Sequence, residues 1–182
     1  MFRTIQIVII LICSHLLCLI LFSYLLIEDS LYFDFFGSEF SYERIIKLIE
    51  ESKKWKWLSY SLVPVLILVK TFFISACLYM GAFFIRTNKK LGDFFRLSLL
   101  AEFILLLPII VKIIWFGFIK RNYGLEDLSY FSPLSVLNLF NRNDIDVWFI
   151  YPLQLLNIFE LLYWLALAYL LKDLINIFKP NM

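Results

Sequence analysis

Residues that do chemistry are scarce in this sequence: one histidine, three cysteines and five glycines among 182 residues. With a single His and no C-x-x-C, there are too few ligands to close a structural zinc site. Cys13, Cys18 and Cys77 all sit inside apolar runs, where a thiol behaves as a small inert hydrophobe. Neither a disulfide nor a metal is expected from them. H-E-x-x-H, G-x-S-x-G and a Gly-rich phosphate loop are all missing, and His15 has no nucleophile in its motif context. No catalytic residue and no cofactor are therefore expected, which argues against an enzyme. The net charge of +2 is spread without a basic stripe, so nucleic acid is excluded as a partner. Glu126, Asp127, Asp144 and Asp146 could bind a cation, but four acids in one loop read better as its solvated face.

Apolar residues, by contrast, dominate: 62% hydrophobic, 20 Phe and a mean hydropathy of +0.83. A soluble domain is about 45–50% apolar, so lipid is the solvent this composition suits. The expected fold is an all-α integral membrane protein, a single membrane domain over residues 1–182, with the bilayer as its first partner. Its centre is the stretch Trp57–Trp115, two apolar runs joined by the basic turn Arg86-Thr87-Asn88-Lys89-Lys90-Leu91-Gly92-Asp93. About 20 apolar residues cross a bilayer as a helix. Four transmembrane helices are expected, at about 5–27, 57–85, 94–119 and 147–171. The first is too long for a signal-peptide core, and no small-x-small site precedes Glu28. The second opens on Trp55-Lys56-Trp57, a headgroup-level border, and carries Pro64. Its Ser75, Ala76, Cys77, Gly81 and Ala82 form a small-residue face for close helix approach. Pro108 sits near the middle of the third.

Two further amphipathic segments are expected at the interface. Ser41 can cap a helix over 42–55, placing Tyr42, Ile45, Ile46 and Ile49 on one face. That face suits either the membrane interface or packing against neighbouring spans. Ser132 and Pro133 open a short helix over 133–140. The basic turn and Arg3 place both termini in the cytoplasm of a bacterial inner membrane, by the bias of Lys and Arg close to spans.

Ionisable groups within spans are costly and so are functional candidates: His15, Lys70, Glu102, Lys112 and Glu160. Lys70 and Glu160 each lie thirteen residues from the same membrane face, which suggests a mid-membrane pair with His15 nearby. Glu102 and Lys112 are ten residues apart on one helix and cannot pair. The Lys70–Glu160 pair would either move a proton or simply fix helix packing. Gln154 and Asn157 extend the polar face of the last span.

The stretches Cys77-Leu78-Tyr79-Met80-Gly81-Ala82, Lys89-Lys90-Leu91-Gly92-Asp93-Phe94-Phe95-Arg96 and Leu156-Asn157-Ile158-Phe159-Glu160-Leu161-Leu162-Tyr163-Trp164 resemble the Yip1-like family of small multi-span membrane proteins. That resemblance implies a non-enzymatic role in trafficking or membrane organisation, and carries over no functional residue. It also implies five spans where four are read here, with Ser132–Phe140 standing where another would be. The function expected is a non-catalytic assembly, scaffold or accessory subunit of a larger membrane complex, with a membrane protein or a second copy as partner. The alternative is an ion- or proton-coupled transport component using the Lys/Glu pair.

Overall fold

The computed structural model describes residues 2–85, 87–140 and 145–176, and the described residues form helices and turns with no strand. The chain forms α1 (Phe2–Leu26), an apolar run without Gly or Pro, and the 43-residue α3 (Tyr42–Phe84), continuous through Pro64 and Gly81. The third run is α4 (Leu91–Glu102), a 3-10 turn at Phe103–Leu106, α5 (Leu107–Ile114) and a π-turn at Trp115–Ile119. Short helices α2 (Asp29–Phe36) and α6 (Leu125–Tyr130) lie in the loops, and α7 (Val147–Leu155) and α8 (Ile158–Asn176) close the chain. Among the described residues, three helices are long and apolar enough to cross a membrane: Thr4–Leu26, Tyr42–Phe84 and Leu91–Ile119.

The local chemistry explains several boundaries. Asp93 Oδ2 accepts the Lys90 N–H at 3.1 Å and so caps α4, and Asp127 Oδ2 does the same for the Gly124 N–H at the start of α6. The 3-10 turn falls immediately before Pro108, which has no N–H for the carbonyl four residues back and crowds it. Pro64 leaves α3 unbroken. Ser41 precedes α3 as expected, but its backbone carbonyl, not its hydroxyl, accepts from Arg44 and Ile45.

Three expectations change. Residues 42–55 and 57–85 are one helix rather than two. At about 1.5 Å per residue, α3 runs about 65 Å, twice the hydrocarbon thickness of about 30 Å. Its first half is therefore a projecting stem. Ile45 and Ile49 on that stem are buried beneath α2, a helix the sequence did not announce. The Phe33 and Tyr42 rings stack at 5.2 Å, so the apolar face is used for packing. The stretch 147–171 is broken at Leu156–Asn157. α7 is too short to span, and α8 carries Glu160, Lys172 and Asp173. Over 133–140, Pro133 and Leu134 make a turn with Leu134 at φ 53°, and only Val136–Leu139 coils, as a 3-10 turn. Part of the loop acid group, including Asp144, and the turn residue Arg86 lie outside the described residues.

α4 is the hub, packed on α1, α3 and α8. On one side Leu99 meets Leu11 of α1 and Ile67 of α3. On the other, Leu97 and Ala101 meet Tyr163 and Leu167 of α8. A third cluster, Leu26, Leu31, Phe116 and Leu128, seals the loop end. There the Tyr123 hydroxyl donates to the Leu26 carbonyl at 3.2 Å, and burial, then the Glu28 carboxylate, hold its phenol above the ordinary range.

The small-residue face is split. Ser75 and Ala82 are buried with Thr71, at the i, i+4, i+11 spacing of one helix stripe, and Ala76 flanks them. Gly81 is off that stripe: a Cβ built there meets nothing within 4 Å. Small size had grouped these residues, but the 100° step per residue separates them.

Candidate functional site

The polar centre grows from the buried stripe of α4. Phe94, Leu97, Ser98, Ala101 and Glu102 recur at three- and four-residue steps, so helical geometry turns all of them inward. Four of these suit a core; Glu102, 3% exposed, needs a partner. Lys70 on the antiparallel α3 supplies it, donating from Nζ to Glu102 Oε1 at 2.9 Å. The lysine is 42% exposed at its side chain, so the pair has a buried carboxylate and an outward-leaning ammonium. The same Nζ lies 5.0 Å from the ring centroid of Tyr163 on α8, a cation–π distance.

Tyr163 is fully buried and faces the Glu102 carboxylate, without a hydrogen bond of ordinary geometry. Ser98, one turn before Glu102, is equally buried. Ser98 Oγ, Glu102 Oε2 and Tyr163 OH are three buried oxygens that make no hydrogen bond. Native interiors leave few such groups; two of these stand one turn apart on α4 and the third on α8, which packs against it. Thr71 and Ser75 beside Lys70 are also buried, but their hydroxyls donate to the carbonyls of Ile67 and Phe72 at 2.7 Å each.

The expected Lys70–Glu160 pair does not form; Lys70 pairs with Glu102. Equal depth left the helix rotations open, and α4 packs on both α3 and α8, so its own carboxylate meets the lysine. His15 is buried and bonded within its own helix, Nδ1 to the Leu11 carbonyl at 3.1 Å. Lys112 serves the loop end: Nζ donates to the Leu128 carbonyl and lies 5.6 Å from the Phe22 ring centroid. Glu102 and Lys112 stay apart, each with its own partner.

A second polar feature surrounds the break between α7 and α8. The loop segment Leu134–Val136 runs antiparallel to it through a single β-bridge: Val136 N–H donates to the Leu156 carbonyl at 2.9 Å, and Ile158 N–H to the Leu134 carbonyl at 3.2 Å. Gln154 Nε2 reaches the Ser129 and Tyr130 carbonyls at 3.2 and 3.1 Å. Asn157 does two tasks. Its Nδ2 donates to the Gln154 carbonyl at 3.1 Å, while its Oδ1 accepts the Glu160 N–H at 2.9 Å and caps α8. Backbone opened inside an apolar region must be satisfied locally, and these side chains do it.

Beside the break runs an apolar groove of about 450 Å³, walled by Leu134, Leu156, Ile158, Leu161 and Trp164 and holding the Glu160 carboxylate. That carboxylate makes no hydrogen bond or ion pair with the described residues; its charge is felt by Tyr163, one turn on. Ser98, Tyr163 and the break were not singled out from the sequence. The break had one sequence signal, Gln154 and Asn157 three residues apart in an apolar run. Ser98 had only its i, i+4 relation to Glu102. Among the described residues no three His, Cys, Asp or Glu side chains gather as a metal site would need. Compared with protein-family models, with characterised proteins and with solved structures, the chain matches none.

Proposed function

We propose that the protein is a membrane-embedded, non-catalytic accessory or assembly subunit of a larger membrane complex. The observation that carries this reading is α7. Its nine residues are apolar apart from Gln154, it is too short to cross a bilayer, and none of its residues is buried. Its main contact is the 3-10 turn Val136–Leu139. A short apolar helix left uncovered by its own chain is what a subunit offers to a neighbour. The resemblance of the central hairpin to Yip1-like proteins agrees with such a role. We place the protein in a bacterial inner membrane, both termini cytoplasmic, on the strength of its basic turn.

The test is extraction in mild detergent followed by size and composition analysis. A membrane protein that co-purifies at fixed stoichiometry, and is lost when Trp148 and Tyr151 on α7 are changed to Ala, supports the reading. A chain that purifies alone overturns it. The buried Glu102 carboxylate, with one oxygen on Lys70 and the other unpartnered, favours a second reading, an ion- or proton-coupled component, now using Lys70 and Glu102. It requires flux in reconstituted vesicles that Glu102→Gln abolishes while the protein stays folded.

A further inference from the structure

We infer that the groove at the α7–α8 break seats a transmembrane helix of a partner protein, and that this helix presents a lysine or arginine to Glu160. The inference deepens the accessory-subunit reading and rests on it.

Glu160 is half-buried, two residues into α8, and its carboxylate opens into the groove. Its surroundings are leucine, isoleucine, valine, one indole and Asn157, whose side chain is taken up by backbone groups, and no cation among the described residues pairs with it. Lys70, whose ammonium lies 5.0 Å from the Tyr163 ring on α8, is already held by Glu102. A carboxylate in hydrocarbon pairs with a charge or takes up a proton, so charge complementarity asks the occupant for a cation. Trp164, one turn further on, puts an aromatic face beside the same spot, and an indole ring is the best of the side-chain rings for a cation.

The shape of the uncovered surface fits a helix. Leu161, Trp164, Leu165, Ala168 and Tyr169 are all exposed. They follow the i, i+3, i+4, i+7, i+8 spacing of a stripe that packs on another helix. The stripe runs on from the groove along α8, opposite the buried stripe of Tyr163 and Leu167. A helix lying along it would be neutralised at one end by Glu160 and covered by apolar contact over the rest. A lipid would offer Glu160 a headgroup amine and the stripe its acyl chains, so the two occupants are told apart by the experiment.

The probe is a Leu–Ala transmembrane peptide with one central lysine, compared with the same peptide carrying leucine there. Energy transfer is read from a donor dye on Val147→Cys, an exposed position outside the groove and the stripe, in a background with Cys13, Cys18 and Cys77 changed to Ala, in phosphatidylcholine vesicles. The lysine peptide is expected to bind at least tenfold more tightly, and Glu160→Gln to erase that preference. Should Glu160→Gln fail to fold, Glu160→Lys provides the independent check, since it should prefer a peptide with a central glutamate. Equal binding of both peptides overturns the inference, as does a lysine preference that survives Glu160→Gln. Loss of lysine-peptide binding when phosphatidylethanolamine is added would assign the groove to a lipid amine and also overturn it. The two levels separate cleanly. A native preparation with a stoichiometric partner but no lysine preference removes only this site. A lysine preference in a chain that purifies alone removes only the accessory-subunit reading.

Discussion

Lys70 and Glu102 form the pair on which three helices depend, because α8 contributes Tyr163 to the same spot. Removing one partner leaves an uncompensated charge inside the bundle. Lys70→Met or Glu102→Gln should each cost about 3 kcal/mol, the lower end of what broken buried pairs lose, since the lysine is partly exposed. Lys70→Met with Glu102→Met should recover most of that, because no charge is then left buried. Thermal unfolding in one detergent, wild type against singles and double, checks both; additive losses would show that the two residues do not act as a pair. Leu134 is a different kind of residue effect. Its φ of 53° is left-handed, a conformation that costs an L side chain about 1–2 kcal/mol. Its side chain is 58% exposed, so Leu134→Gly should stabilise by about 1 kcal/mol, and Leu134→Val should destabilise. The same unfolding assay reads both.

Among the elements, the broken last helix is the one held by side chains rather than by its own backbone ladder. Asn157 caps α8 and ties back two carbonyls of α7. Asn157→Leu should loosen the first turn of α8 by about 1 kcal/mol, or roughly fivefold faster amide exchange at Ile158–Leu161 by local opening. Unchanged exchange there would mean that the Leu134–Val136 segment alone holds the break. The stem of α3 behaves otherwise. Ile45 and Ile49 were legible as an apolar face from their spacing, but α2, which covers them, was not. Eight residues with three phenylalanines and a tyrosine carry too short a pattern to read as a helix.

At the scale of the molecule, α4 joins the other long helices, and the loops gather at the two ends. The stem of α3 and the turn after it are separated by the apolar length of that helix. In the cysteine-free background, Lys54→Cys and Asn88→Cys should therefore react with a membrane-impermeant maleimide from opposite sides of sealed vesicles. Labelling of both from one side would show that α3 does not cross.

The sequence alone determined the helical class, the antiparallel hairpin at the basic turn and three long apolar helices, where it led to an expectation of four. Each of these follows from local composition, period and length, which need no knowledge of neighbours. Tertiary structure alone decided that Lys70 meets Glu102 and not Glu160, that Gly81 faces outward, and that residues 147–171 break where a loop segment can bond to them. Depth along a helix can be counted from sequence, but rotation about its axis is set by which faces pack. One 100° step decides whether a carboxylate enters the bundle, as Glu102 does, or opens on a groove, as Glu160 does.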